Sequence, residues 1–351
     1  MLRNGRGRMG RLPKRGESPM TKDWELRDCD REFFERELRS FVPEKIFDAH
    51  AHLYETWHWG RGEAAIQGPR VATLAEFRRL MEWITPGSHT TALFFGVGFS
   101  DERCHPSNEF VAAEVRLDPE CRGQMVISPR MDPEEVRQEA KRLGFTGLKV
   151  YHTFVQGEVS WHADISRFLT EEHVRVAHQE GWTITLHMVK DRAMAEPANQ
   201  QRIVEYCTRY PDMKLILAHA ARGFNPYHTV EGIHALKGLR NVWCDTSAVT
   251  EAGAFEAIVD TLGHDRLLWG SDFPVSHGRG RCIAIGDQFF WLGEDSLDWE
   301  SVAAQASVQP VLTGLESLRV LKLAARHLRL SDSQVEDIFY TNARRMLGMD
   351  G

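Results

Sequence analysis

From residue 44 onward the chain alternates short runs of β-branched and apolar residues with longer amphipathic stretches, the pattern of β-α units repeated around a parallel sheet. Eight apolar runs stand out: KIFDAHAH (45–52), TALFFGVGF (91–99), GQMVISPRM (123–131), TGLKVYH (146–152), TITLHMV (183–189), KLILAHA (214–220), VWCDTSA (242–248) and RLLWGSDF (266–273). The stretches between them carry helix punctuation. In DPEEVRQEAKRLG, Asp132 is an N-cap, Pro133 fits the first helical position and Gly144 ends the helix; Gly181, Gly238 and Gly263 close others. Eight strands with intervening helices predict an α/β fold, the (β/α)8 TIM barrel, with active-site loops at the strand C-termini. An open doubly wound sheet would bring a Gly-rich phosphate turn after the first strand, where AHLYETWHWG stands instead. Residues 274–314 read as a loop insertion after strand eight that covers the barrel mouth, followed by helical segments near 315–329 and 332–347.

Charge separates the first residues from the rest. Residues 1–16 hold Arg3, Arg6, Arg8, Arg11, Lys14 and Arg15 with no acid, so setting those six cations aside turns the formal −7 into −13 for the remainder. Residues 1–22 are read as a basic, disordered extension, with Met9 and Met20 as alternative starts, and 23–351 as one barrel domain. An acidic body offers no general attraction to phosphate backbones, which argues against a nucleic-acid partner. The longest nearly apolar stretch, TALFFGVGF, is half a membrane span, so no membrane partner is expected. The basic segment lacks the apolar core of a secretory signal, and the six cysteines form no C-x-x-C pair, so they are expected reduced in a cytoplasmic protein.

The candidate chemistry lies at the strand ends. In the first run Asp48, His50 and His52 alternate, and side chains two apart share a strand face, so the two imidazoles point together. An H-x-H alone is weak. His187 ends the fifth run, His219 the sixth and Asp272 the eighth, however, so four imidazoles and a carboxylate meet at the catalytic rim of a barrel. Taken singly each histidine reads as a hydrogen-bonded rim residue; taken jointly they suit a divalent cation, zinc first, with an open position for water or substrate.

FDAHAH, GLKVYH, ITLHM, LILAHAA, LLWGSDFP and the terminal YTNARRMLG together resemble the amidohydrolase superfamily, specifically its amidohydrolase-related (family 2) branch of metal-dependent barrel hydrolases and decarboxylases, over about residues 44–349. The resemblance implies that His50, His52, His187 and Asp272 bind one metal (Zn, with Mn, Fe or Co as alternatives), and that His219 lies beside the water or substrate. It also implies that Asp272 takes a proton from the attacking water and passes it to the leaving group. Lys149 stands where some members of the superfamily carry a carbamylated, metal-bridging lysine. It is read here as a charge partner for a substrate anion or for Asp272, with an ion pair inside the barrel as the alternative. Relatives often form dimers, and the C-terminal helices offer a surface for a homodimer.

The first loop carries Tyr54, Trp57, His58, Trp59 and Arg61; Arg130 and Arg222 follow strands three and six. Tyr54, Trp57, Arg130 and Arg222 are therefore candidate contacts for a small, carboxylate-bearing organic substrate. The leading reading is metal-dependent hydrolysis of an amide, lactone or related C–N or C–O bond. The alternative is non-oxidative decarboxylation of an aromatic or enoic acid, for which HAARGFNP is loosely similar to an H-G-G-G-x-x-P run but replaces the glycines by Ala220, Ala221 and Arg222. A third reading is a barrel that binds a ligand without chemistry.

Overall fold

The computed structural model describes residues 24–60, 68–157, 159–296 and 309–349, so the extension 1–22 and Arg61 lie outside the described residues. Eight parallel strands follow in chain order: β1 (Lys45–His52), β2 (His89–Phe95), β3 (Arg122–Gly123 with Met125–Ile127), β4 (Gly147–Val150), β5 (Thr183–Leu186), β6 (Lys214–Leu217), β7 (Val242–Asp245) and β8 (Leu267–Leu268). Each pairs with its successor. β3 breaks at Gln124, whose N–H donates to the Phe94 carbonyl at 2.8 Å, so its first part pairs with β2 and its second with β4.

β8 is much shorter than the eight-residue run RLLWGSDF, yet the residues after it close the barrel. Ala49 N–H donates to the Trp269 carbonyl (2.9 Å), Asp272 N–H to His50 (2.8 Å) and His52 N–H to Phe273 (3.0 Å). Gly270 permits this approach, since a Cβ there would lie 3.0 Å from the His50 Cβ. β1 is buried at every residue but Lys45, as a strand covered on both faces requires.

Between successive strands lie α2 (Leu74–Met81), α3 (Asp101–Val115), α4 (Pro133–Leu143), α5 (Glu171–Glu180), α6 (Pro197–Arg209), α7 (Pro226–Gly232) and α8 (Gly253–Leu262), with α1 (Asp28–Phe33) preceding the barrel and α9 (Thr313–His327) following it. α4 is capped as its sequence demands: the Asp132 carboxylate accepts from Glu134 and Glu135 N–H, and Gly144 takes the left-handed conformation that ends the helix. The C-terminal helix Asn342–Leu347 places Ala343 and Met346, with Met349 beyond it, against Phe47, Ala49, Leu93, Ile216, Trp243 and Leu268. It thereby joins five strands into one apolar cluster.

The insertion after β8 contains an antiparallel hairpin, β9 (Gly280–Ile285) and β10 (Gln288–Gly293). Its base is tied to the N-terminal segment by a buried ion pair: Arg279 donates to both carboxylate oxygens of Asp30, at 3.0 and 2.6 Å, while Leu312 N–H also donates to Asp30 (3.1 Å). The turn after β6 is unusual. His219, Ala220, Ala221 and Arg222 have φ between 51° and 59°, a run of left-handed residues without a glycine. Among the described residues no helix is long and apolar enough to cross a membrane.

Candidate metal centre

β1 and the segment after β8 bring three groups together. The His50 Nε2 lies 3.5 Å and the His52 Nε2 3.3 Å from the Asp272 Oδ1. The other nitrogens fix what these atoms can do. His50 Nδ1 is 2.8 Å from Asp245 Oδ2, and a carboxylate only accepts, so Nδ1 carries the hydrogen and Nε2 the lone pair. His52 Nδ1 faces the Gly96 carbonyl at 3.4 Å, which selects the same tautomer. Two lone pairs and a carboxylate oxygen therefore converge in a buried place, and positive charge must answer them: a proton, a metal cation or, in part, the Lys149 ammonium, whose Nζ lies 3.3 Å from His50 Nε2. Burial works against the proton: it pushes the His52 imidazole below its ordinary range and, reinforced by the Lys149 charge, His50 well below. Burial alone would raise the Asp272 carboxyl; a proton on His52 Nε2, donated to it, and positive charge on the neighbouring imidazoles would instead pull it down, to about 2, so the carboxylate is stabilised wherever positive charge sits among these groups. Two ligands about 2.1 Å from a tetrahedral ion stand about 3.4 Å apart, so the observed separations fit a divalent cation.

Behind this trio lies a carboxylate that sequence reasoning did not single out. Asp245, the last residue of β7, holds His50 through Oδ2; its Oδ1 accepts from the N–H groups of His219 (2.9 Å) and Ser247 (3.1 Å) and from the Ser247 hydroxyl. Because that hydroxyl donates to Asp245, it accepts from His219 Nδ1 at 2.9 Å. His219 thus carries its hydrogen on Nδ1 and a lone pair on Nε2. One buried carboxylate fixes the tautomer of two imidazoles, the arrangement that orients metal-site histidines. The only signal in the sequence was an aspartate ending a barrel strand. Asp48, on β1, laces the closure: its Oδ1 accepts from His50 N–H (3.0 Å) and Ser271 N–H (2.9 Å), and burial pushes its carboxyl up to about 7.

The remaining sequence candidates fall at different distances from the trio. His187 is partly exposed, its ring centre 4.9 Å from that of His219, and its nitrogens join neither of the compact buried ligand groups among the described residues, His50 with His52 and Asp272 or His50 with His219 and Asp245. Lys149 is fully buried, its Nζ 3.3 Å from His50 Nε2 and 4.2 Å from the centre of the Phe95 ring; burial brings its pKa down to about 8 against the opposing pull of Asp245 and Asp272. The Arg222 guanidinium lies 5.5 Å from the ring centres of both Trp161 and Phe289 and donates to the Lys190 carbonyl. His152, not singled out before, stands 5.6 Å from the His187 ring, with its Nδ1 at 3.1 Å from the Ser160 hydroxyl. Tyr54 is wholly buried in a two-residue ribbon with Ala72, packed on Trp59. Trp57 is half exposed and donates to Glu55, while Arg130 is held by Asp101 and the Phe154 carbonyl. The polar groups of Trp57 and Arg130 are thus turned to partners other than the histidines, and the buried Tyr54 hydroxyl meets no hydrogen-bond partner among the described residues.

Comparison with known proteins agrees with this geometry. A family model described as amidohydrolase matches residues 47–349. Over 115 residues the chain is 31% identical to L-fucono-1,5-lactonase of Burkholderia ambifaria, covering 28% of this chain and 39% of the relative, so it spans about two fifths of that protein's length. An amidohydrolase from Burkholderia multivorans superposes with a TM-score of 0.57 at 16% identity, covering 86% of this chain and 99% of that one; a second crystal form of it, with bound zinc, gives 0.55. A dihydroxybenzoic acid decarboxylase from Polaromonas sp. JS666, with bound manganese and 2-nitroresorcinol, gives 0.55 at 16% identity over 88% of this chain and 98% of that one. At these identities the superpositions establish the barrel fold, and the family match covers most of the chain. The protein is an enzyme of the amidohydrolase family.

Proposed function

We propose that the protein is a metal-dependent hydrolase that opens a lactone or a related C–O or C–N bond of a small organic substrate. The observation that carries this reading is the meeting of His50 Nε2, His52 Nε2 and Asp272 Oδ1, with both imidazoles held in the tautomer that leaves Nε2 bare. These three groups, with His187 beside them, would hold a divalent cation, zinc or manganese. Such a cation supplies Lewis acidity, polarising a carbonyl and lowering the pKa of water from 15.7 toward about 7.

The protein's own groups do the rest. Asp272, ionised at neutral pH, accepts a proton from the attacking water and, being a weak base, readily hands it to the leaving oxygen or nitrogen. His219, with its hydrogen committed to Ser247, enters the reaction as an acceptor, orienting water or a substrate hydroxyl; it stabilises negative charge only once it carries a proton. Lys149, buried between Asp245 and Asp272, balances their charge rather than reaching a substrate anion. Arg222, between Trp161 and Phe289, is the arginine suited to an acidic group on the substrate. Hydrolysis is favoured over decarboxylation by the lactonase relative and by Arg222, which takes up room that a glycine would leave open. The six cysteines, all unpaired, support a reducing compartment such as the cytoplasm.

The test is acid release from L-fucono-1,5-lactone and other aldonolactones, with carbon dioxide release from 2,6-dihydroxybenzoate followed in parallel. Lactone opening should vanish on verified metal removal and return with zinc or manganese, and Asp272→Asn should lower it about 10²–10⁴-fold. Carbon dioxide release without lactone opening, or full activity after metal removal, would overturn the reading.

A further inference from the structure

We infer that the hairpin inserted after the eighth strand is a buttress that sets the orientation of His219 through Phe224. The inference rests on the hydrolase reading for its activity arm only. Phe224 follows the left-handed turn, and its ring lies on the His219 imidazole, centroids 5.1 Å apart and planes 28° from parallel. It also meets Phe289 at 5.1 Å and Trp291 at 5.6 Å, both from β10. These two residues are two apart on a strand and so share a face; Phe290, between them, points away.

The hairpin is in turn fastened to the rim of the barrel. The Asn225 amide donates to the Gly286 and Gln288 carbonyls at 2.8 and 3.2 Å. Thr250 both donates to the Cys282 carbonyl (2.6 Å) and accepts from Cys282 N–H (3.0 Å), and Glu251 accepts from Ala284 N–H at 2.7 Å. The turn between His219 and Phe224 is held too, since the Thr229 hydroxyl donates to the Ala220 carbonyl at 2.9 Å and a Cβ on Gly223 would lie 2.7 Å from that of Ala254.

Ser247 holds the edge of the His219 ring by a hydrogen bond, the His50 and His187 rings lie 4.9 Å from it, and Phe224, backed by β10, stacks on it. The hydrogen bond alone leaves the ring free to tilt about the bonded nitrogen; the stacked Phe224 ring, held from β10, restricts that tilt. Phe224, Phe289 and Trp291 are positioning residues, and the hairpin acts on the proton-handling side of the site.

Two measurements on zinc-loaded protein test this. The first is the ¹⁵N spectrum of the histidine rings at pH 7.5, in which a protonated and a bare nitrogen differ by tens of ppm, far beyond a ring-current effect. Wild type should show a fixed, Nδ1-protonated His219. In Phe224→Leu the two nitrogen shifts should draw together or broaden, in Phe224→Tyr they should stay, and Trp291→Leu should show an intermediate change should Phe224→Leu fail to fold. The second is turnover of L-fucono-1,5-lactone. Phe224→Leu should lower kcat about tenfold with KM within about twofold, the mark of a misaimed group rather than lost binding, and Phe224→Tyr should restore most of it. Phe290→Ala should change neither readout. Unchanged His219 signals in both Phe224→Leu and Trp291→Leu would overturn the inference. If wild type leaves the lactone intact, the substrate reading fails while the spectra still decide the buttress.

Discussion

Asp245 carries more of the site than any residue whose type and position advertise it. Its two oxygens hold a bare Nε2 on His50 toward Asp272 and a bare Nε2 on His219. Asp245→Asn places an amide donor opposite His50 Nδ1 and removes the reason for that tautomer, so metal affinity should fall about 10–100-fold, as measured by competition with a chromogenic chelator. Undiminished affinity would show that Asp245 serves only the backbone. His50, His52 and Asp272, which the structure brings together, stand out in the sequence because they lie at the C-terminal parts of apolar runs, where barrel chemistry collects. Asp245 ends such a run too, but its partner His50 lies 195 residues away, and a lone aspartate says nothing of that. The substrate contacts were less legible. An aromatic or basic residue in a mouth loop does not declare which way it turns: Trp57 and Arg130 turn to other partners, and Tyr54 is wholly buried.

At the scale of elements, the alternation of apolar runs and capped amphipathic stretches yields the strands and helices almost in order, since burial on both faces and cap chemistry are local properties. What escaped is set by distant partners. β8 shrinks to two residues because the chain beyond it bends into the site while bonding to β1, and the left-handed turn at His219–Arg222 is written in residues that avoid that conformation. That turn should tolerate branching poorly: Ala221→Val, at a fully buried left-handed position, should destabilise by about 2 kcal/mol or more in urea unfolding. The Asp30–Arg279 pair was equally hidden, as it links α1 to the hairpin across 249 residues. Both groups are at most 2% exposed, so Asp30→Ala strands a buried guanidinium and should cost about 3–5 kcal/mol by the same measurement. A loss under about 1 kcal/mol would mean that water or a neighbouring carbonyl replaces the carboxylate.

The whole molecule should register its buried histidines as sensitivity to acid. Burial brings His152 and His277 down to about 4, against about 6.5 for an unfolded histidine, and His50 shifts in the same direction. The unfolded chain therefore takes up protons first. Stability is fully present above pH 6.5 and is lost as pH falls toward 4, by up to about 3 kcal/mol for each of the two groups near 4. The urea midpoint should drop steeply between pH 7 and 4.5, and His277→Gln should flatten part of that slope; a midpoint level across this range would contradict the burial argument. Imidazoles from β1 and a carboxylate from the barrel's closing segment are proposed to hold one divalent ion. Elemental analysis of protein loaded with zinc or manganese and then desalted tests it most directly, comparing wild type with the folded His50→Ala/His52→Ala double variant. About one ion per chain is expected in the wild type and none in the variant; equal metal in both, or none in either, would contradict that assignment.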